Sequence, residues 1–274
     1  MKRFWMSVTF LFTSLLLHTD GGLLLNATMS NAVDSVVCFK VGLKRRCRVL
    51  FIGDSITDGG WGRSGGSMAP SGKRNHDDLN HLLGHGYVEM CAAHFQSVYP
   101  ERDYEFLNRG ISGNTLCDLQ LRWREDAISL RPDVVSILVG TNDAEAFLRD
   151  ATRTTFDYQR WEQDYRRLLD SLRTYCPKVQ IVLGTPFVAK VGKIGQAANY
   201  SERQVIVQRL AAITKKVADD YHATLVSYDE LFASLQTPDL RPDYWIWDGV
   251  HPTTAGHRRM ADLWIKAVEG KILF

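Results

Sequence analysis

Five short apolar runs punctuate the chain after residue 46, with longer amphipathic stretches between them. They are Arg48–Gly53 (RVLFIG), Tyr104–Asn108 (YEFLN), Asp133–Gly140 (DVVSILVG), Val179–Thr185 (VQIVLGT) and Ala223–Tyr228 (ATLVSY). Runs that are apolar nearly throughout, rather than at every second position, predict strands buried on both faces, as in a parallel sheet. Between them Trp161, Tyr165, Leu168, Leu172 and Tyr175 recur at spacings of 4, 3, 4 and 3, and Ile206, Leu210, Ile213 and Val217 form a similar stripe. Such stripes predict helices that bury one face. The alternation predicts a doubly wound α/β sandwich, in which ligands bind beyond the carboxyl ends of the strands.

Two stretches break the alternation. Lys2 and Arg3 precede an uncharged apolar run from Phe4 to Leu17. That run is too short to span a bilayer comfortably but suits the hydrophobic region of an export signal. Ser30-Asn31-Ala32 supplies small residues at cleavage offsets, which sets residues 1–32 as a leader and 33–274 as one domain. A leader predicts a periplasmic or secreted protein; a true start at Met29 predicts a cytoplasmic one. The second stretch, residues 59–86, is rich in Gly, Ser and His and follows the first strand, where long loops are commonly functional.

Composition narrows the function classes. Apolar residues make up 45% and charged residues 23%, both ordinary for a globular domain. Lys+Arg number 33 against 31 Asp+Glu, and this balance gives no pull toward nucleic acid or an anionic membrane. No run beyond the leader is long and apolar enough for stable membrane insertion. The five cysteines form no C-x-x-C pair, which removes the common zinc and redox patterns. A Cys38–Cys47 bridge is compatible with the spacing, and so is a homo-oligomer with the composition.

The chemistry lies where the strands end. Gly53-Asp54-Ser55-Ile56-Thr57-Asp58 follows the first, Asn108-Arg109-Gly110-Ile111-Ser112-Gly113-Asn114 the second, and Gly140-Thr141-Asn142-Asp143 the third. Asp248-Gly249-Val250-His251-Pro252 precedes the last helical stretch. A serine needs a base to become a nucleophile, and His251 is the candidate for Ser55. Asp248, three residues earlier, is placed to fix the imidazole tautomer. A tetrahedral oxyanion needs donors, and the backbone N–H groups of Ser55 and Gly113 and the Asn142 amide are the candidates.

These four blocks resemble those of the SGNH, or GDSL, hydrolases, matched at Ser55, Gly113, Asn142 and His251. The stretches FIGDSITD, GHGYV, NRGISGNT, DLQLRW, VGTNDAE, TPF and WDGVHPTTAGH look closest to the acetyl xylan esterase branch. The resemblance runs from about Val49 to Leu263. It implies a three-layer α/β/α sandwich of flavodoxin-like type with a five-stranded parallel sheet. It also implies a serine carboxylester hydrolase that uses no metal or cofactor and takes acetyl groups from an oligo- or polysaccharide. The rival substrate classes are a lipid or a thioester, and a non-catalytic carbohydrate-binding module is a third reading. The leader and the long histidine-rich 59–86 loop depart from the branch.

Several residues carry two readings. Asp54, Trp61, Tyr244 and Trp247 are candidate substrate contacts, since sugars stack on aromatic faces, while Trp247 alternatively packs under the Asp248–His251 turn. Arg109 and Asp58 read as substrate contacts or surface ion pairs, and Asp143 as a carboxylate that orients its loop. His76, His81 and His85 lack the glutamate of a helical zinc motif and read as a polar surface loop. Gly62-Arg63-Ser64-Gly65-Gly66 matches G-x-S-x-G formally, but no strand precedes it and no helix follows.

Overall fold

The computed structural model describes residues 46–63 and 68–271. The leader, Cys38 and Ser64 lie outside the described residues. The elements in order are β1 (Arg48–Gly53), α1 (Ser55–Asp58), α2 (Tyr87–Val98), β2 (Glu105–Gly110), α3 (Leu116–Asp126), β3 (Val134–Leu138), α4 (Thr141–Arg149), α5 (Tyr158–Tyr175), β4 (Gln180–Gly184), α6 (Gly192–Gly195), α7 (Tyr200–Asp220), β5 (Thr224–Val226), α8 (Tyr228–Leu235) and α9 (Thr254–Val268). The strands form one parallel sheet in the order β2-β1-β3-β4-β5. This is the expected five-stranded α/β architecture.

Both faces of the sheet are buried, which is why its strands are mostly apolar. Leu50 and Ile52 of β1 face a core shared with α3, α5 and α7, which contribute Trp123, Tyr165, Leu169, Leu172, Leu210 and Val217. Val49 and Phe51 face the other core with Val88 and Phe95 of α2 and Met260 and Trp264 of α9. The α5 stripe buries Trp161, Tyr165, Leu168 and Leu172 as predicted, but Tyr175 ends the helix exposed.

The second strand runs further than its apolar run. Arg109 and Gly110 pair with Ile52 and Gly53, beyond the expected end at Asn108. Polar residues survive there because their groups are satisfied. The buried Asn108 amide donates to the carbonyls of Thr57 (2.7 Å), Asp58 (3.2 Å) and Leu83 (2.8 Å). The third strand is shorter than its run and ends at Leu138.

Parallel strands all deliver their carboxyl ends to one edge. The chain leaves β1 to one side for β2 and crosses to the other for β3, so the crevice between those connections falls at the end of β1. Ser55 stands there.

Candidate active site

Ser55 opens α1 immediately after β1. Asp54 holds it there as the N-cap, its carboxylate accepting the Ile56 N–H at 3.0 Å. The second wall comes from the turn after β2. Gly113 sits in it at φ +84°, a left-handed conformation open to glycine at no steric cost. The third wall is α4, where the Asn142 amide donates to the Asn114 carbonyl at 3.2 Å. That bond uses one of two amide hydrogens and leaves the other for a ligand. Asp143 does orient this wall: its carboxylate accepts from Leu116 N (3.1 Å) and Trp161 Nε1 (2.9 Å).

His251 arrives from the turn before α9. Its Nε2 lies 2.7 Å from Ser55 Oγ, and its Nδ1 lies 2.7 Å from Asp248 Oδ2. The other Asp248 oxygen accepts the backbone N–H groups of Val250 (2.9 Å) and His251 (2.7 Å). Burial pushes the Asp248 carboxyl up, but the bonds from the His251 ring and from these two amides outweigh it and leave it below its usual range. The same carboxylate raises the His251 imidazole above its ordinary value, against the effect of burial. Ser55, His251 and Asp248 thus form one continuous hydrogen-bonded relay. Such a relay can take a proton from an attacking hydroxyl and return it to a leaving group.

The substrate-contact expectations divide. Trp247 is 58% exposed and lies over the His251 ring, with centroids 6.1 Å apart and planes at 25°. It does not pack under the turn. Tyr244 is half-exposed and meets Trp245 edge-on. Trp61 and Asp54 are corrections. Both are only 1% exposed. The Trp61 indole donates to the Gly110 carbonyl at 2.7 Å, and the guanidinium groups of Arg74 and Arg109 lie 4.6 and 4.9 Å from its centroid. It offers no face to a sugar. The Asp54 carboxylate is sealed beneath Ser55, and burial raises it to about 7.

Asp58 and Arg109 are not surface groups either; both are buried. His81 is buried as well, with Nδ1 2.6 Å from Asp78 Oδ2, so the loop is not wholly a solvated one. No group of three His, Cys, Asp or Glu positioned for a metal occurs among the described residues. Sequence reasoning passed over Arg74, Arg122 and Asn108, the polar groups that join these walls. Their partners lie in other elements, and no spacing encodes that.

Residues 51–259 match the GDSL-like lipase/acylhydrolase family. An acetylxylan esterase of Geobacillus stearothermophilus is 33% identical over 226 residues, covering 81% of this chain and 93% of the relative. A structure described as a putative GDSL-like lipase from Parabacteroides merdae superposes with a TM-score of 0.70 at 32% identity, covering 83% of this chain and 97% of that one. Catalytic mutants of the Geobacillus esterase, with a serine, an aspartate and a histidine each changed to alanine, superpose with TM-scores of 0.65, 0.65 and 0.64 at 31%, 30% and 30% identity. They cover 81–82% of this chain and 94% of theirs. The chain belongs to the GDSL-like lipase/acylhydrolase family and is a carboxylic ester hydrolase.

Proposed function

We propose that this enzyme removes acetyl groups from an oligo- or polysaccharide, with Ser55, His251 and Asp248 as its triad. Ser55 Oγ attacks the acetyl carbonyl while its proton passes to His251 Nε2. The tetrahedral oxyanion is held by the backbone N–H groups of Ser55 and Gly113 and by the Asn142 amide. Collapse breaks the bond to the sugar oxygen, which takes the proton from His251 and leaves as an alcohol. Water then attacks the acetyl-enzyme, gives its proton to His251, and acetate departs as Ser55 regains it. Asp248 holds the imidazole in the tautomer that presents a lone pair to Ser55.

The observation that carries this reading is the relay of two 2.7 Å contacts from Ser55 through His251 to Asp248. The acetylxylan esterase at 33% identity supports the acyl and sugar assignments. So does the exposed Trp247, an aromatic face beside the catalytic histidine. A p-nitrophenyl ester series from acetyl to octanoyl, run beside acetylated xylo-oligosaccharides, tests it. The expected result is a steep fall in kcat/KM beyond acetyl and acetate release from the oligosaccharides. A rate that rises toward octanoyl, with no acetate released, makes the enzyme a lipid or thioester hydrolase instead.

A further inference from the structure

The turn that carries Gly113 has no regular secondary structure of its own, yet an oxyanion donor works only if it is held in place before the reaction begins. Asp58 is the last residue of α1, whose first residue is Ser55. Its carboxylate is fully buried and accepts from three separate segments. Oδ2 accepts both the backbone N–H (3.0 Å) and the hydroxyl (2.9 Å) of Ser112, the residue before Gly113. Oδ1 accepts the Gly60 N–H at 3.1 Å. Arg74 closes the set with a two-pronged ion pair, Nη1 to Oδ1 at 2.5 Å and Nη2 to Oδ2 at 2.9 Å. The two side chains are 1% and 0% exposed.

Arg74 belongs to the 59–86 loop, and that loop reaches the turn from its other end too. Arg122 of α3 donates to Asn114 Oδ1 (2.7 Å), to the Arg109 carbonyl (2.7 Å) and to Asp126 Oδ2 (2.8 Å). Ser71 donates to the same Asp126 oxygen at 2.9 Å. Residues 112 and 114, on either side of Gly113, are therefore each tied through a buried carboxylate to residues 71–74. Removing one partner of a buried ion pair costs several kcal/mol, so without Arg74 the Asp58 carboxylate would lack its two-pronged partner and its hold on Ser112 would loosen.

We infer that Arg74 is a positioning residue for the esterase reaction. Ser71 and Arg74 form a buttress whose buried cation fixes the Gly113 turn against the helix that carries Ser55. This rests on the proposed roles of Ser55 and Gly113. It separates Arg74 from a merely structural cation, because the loss falls on the transition state and not on substrate binding.

The experiment compares Arg74→Met, Arg74→Lys and Ser112→Ala with wild type on p-nitrophenyl acetate. It also measures inhibition by a short alkyl boronic acid, whose serine adduct places an oxygen where the oxyanion forms. Ser55→Ala serves as the control, and folding is followed by thermal melting. Arg74→Met should lower kcat by about 10–100-fold, with KM within about threefold of wild type and boronate affinity falling in parallel with kcat. Arg74→Lys, with charge but no fork, should recover part of the loss. Ser112→Ala cuts one link at a half-buried position and should lower kcat by roughly 3–10-fold, again with boronate affinity. If Arg74→Met does not fold, Ser112→Ala decides. Folded variants with wild-type kcat and boronate affinity, beside an inactive Ser55→Ala, overturn the inference and leave the proposed function standing. A fully active Ser55→Ala overturns the proposed function itself.

Discussion

In the proposed triad His251 can serve Ser55 only while its Nε2 is unprotonated, and two carboxylates govern when that is so. Asp248, bonded to Nδ1, raises the imidazole above the 6.5 of its free form, and the Asp54 charge beneath Ser55 adds to it. The acid limb of kcat/KM in wild type should therefore lie above 6.5, with activity lost as pH falls through it. Asp248→Asn should lower the neutral rate by about 10⁴-fold and move the remaining limb down. Asp54→Asn is the subtler case. Asparagine caps a helix as well as aspartate, so α1 should hold its place. The limb should move down by less than in Asp248→Asn, since Asp54 acts on the ring through space alone. Asp54 also has a stability signature. Burial raises it from 3.8 to about 7, so the folded state binds more protons than the unfolded one across that window. Its contribution is present at low pH and lost as pH rises through about 7. Compared with wild type, Asp54→Asn should gain stability between pH 5 and pH 8, read as the difference in melting temperature. An unchanged difference across that range would remove Asp54 as a buried titrating group.

Strand ends and the turns beyond them are the level at which this site was readable. Ser55, Gly113 and Asn142 stand just after three apolar runs, and Asp248 and His251 lie within one turn of each other, so short-range spacing was enough to nominate them, and the fold brings Ser55, His251 and Asp248 into contact. The contacts behind the proposed buttress were not readable. Arg74 and Asp58 are 16 positions apart in a segment with no periodicity, and only the fold brings them together. Trp61 misled for the same reason, because an aromatic next to a site looks alike in sequence whether it faces a ligand or lies between two guanidinium groups. Two glycines on one connection show how differently such a segment is constrained. A Cβ on Gly110 would lie 2.4 Å from the Asp58 backbone nitrogen, which cannot retreat without moving α1. A Cβ on Gly113 would meet only the Met68 side chain, at an ordinary 3.5 Å, although φ +84° strains any other residue. Gly113→Ala should fold with a loss of about 1–2 kcal/mol, whereas Gly110→Ala should fail to give soluble enzyme or melt far lower. Equal melting temperatures for the two variants would contradict this reading of the close approach between β2 and α1.

For the molecule as a whole, stability is set where the layers meet, and one junction there should give it a pH dependence of its own. His257 of α9 lies parallel to the Tyr87 ring of α2, with planes at 3° and centroids 6.4 Å apart. Its Nδ1 accepts the Tyr87 backbone N–H at 3.3 Å, a bond that the protonated ring cannot receive. Burial, reinforced by the nearby His251, lowers its pKa from 6.5 to about 4. Between those values the unfolded chain binds a proton there that the folded chain does not. The stability His257 contributes is thus complete above 6.5 and is lost as pH falls toward 4. The buried carboxyls of Asp54 and Asp143, raised to about 7 and about 6, act in the opposite sense over much of this range. A single melting curve therefore mixes the two, and a difference between proteins is needed to separate them. His257→Gln keeps an acceptor for the Tyr87 N–H and removes the titration. Relative to this variant, wild type should lose about 2 kcal/mol between pH 7 and pH 5. For a domain of this size that corresponds to roughly 4–8 °C in melting temperature. A difference that stays constant with pH would mean that His257 is not held neutral at the junction of α2 and α9, and that the acid response of the fold arises elsewhere.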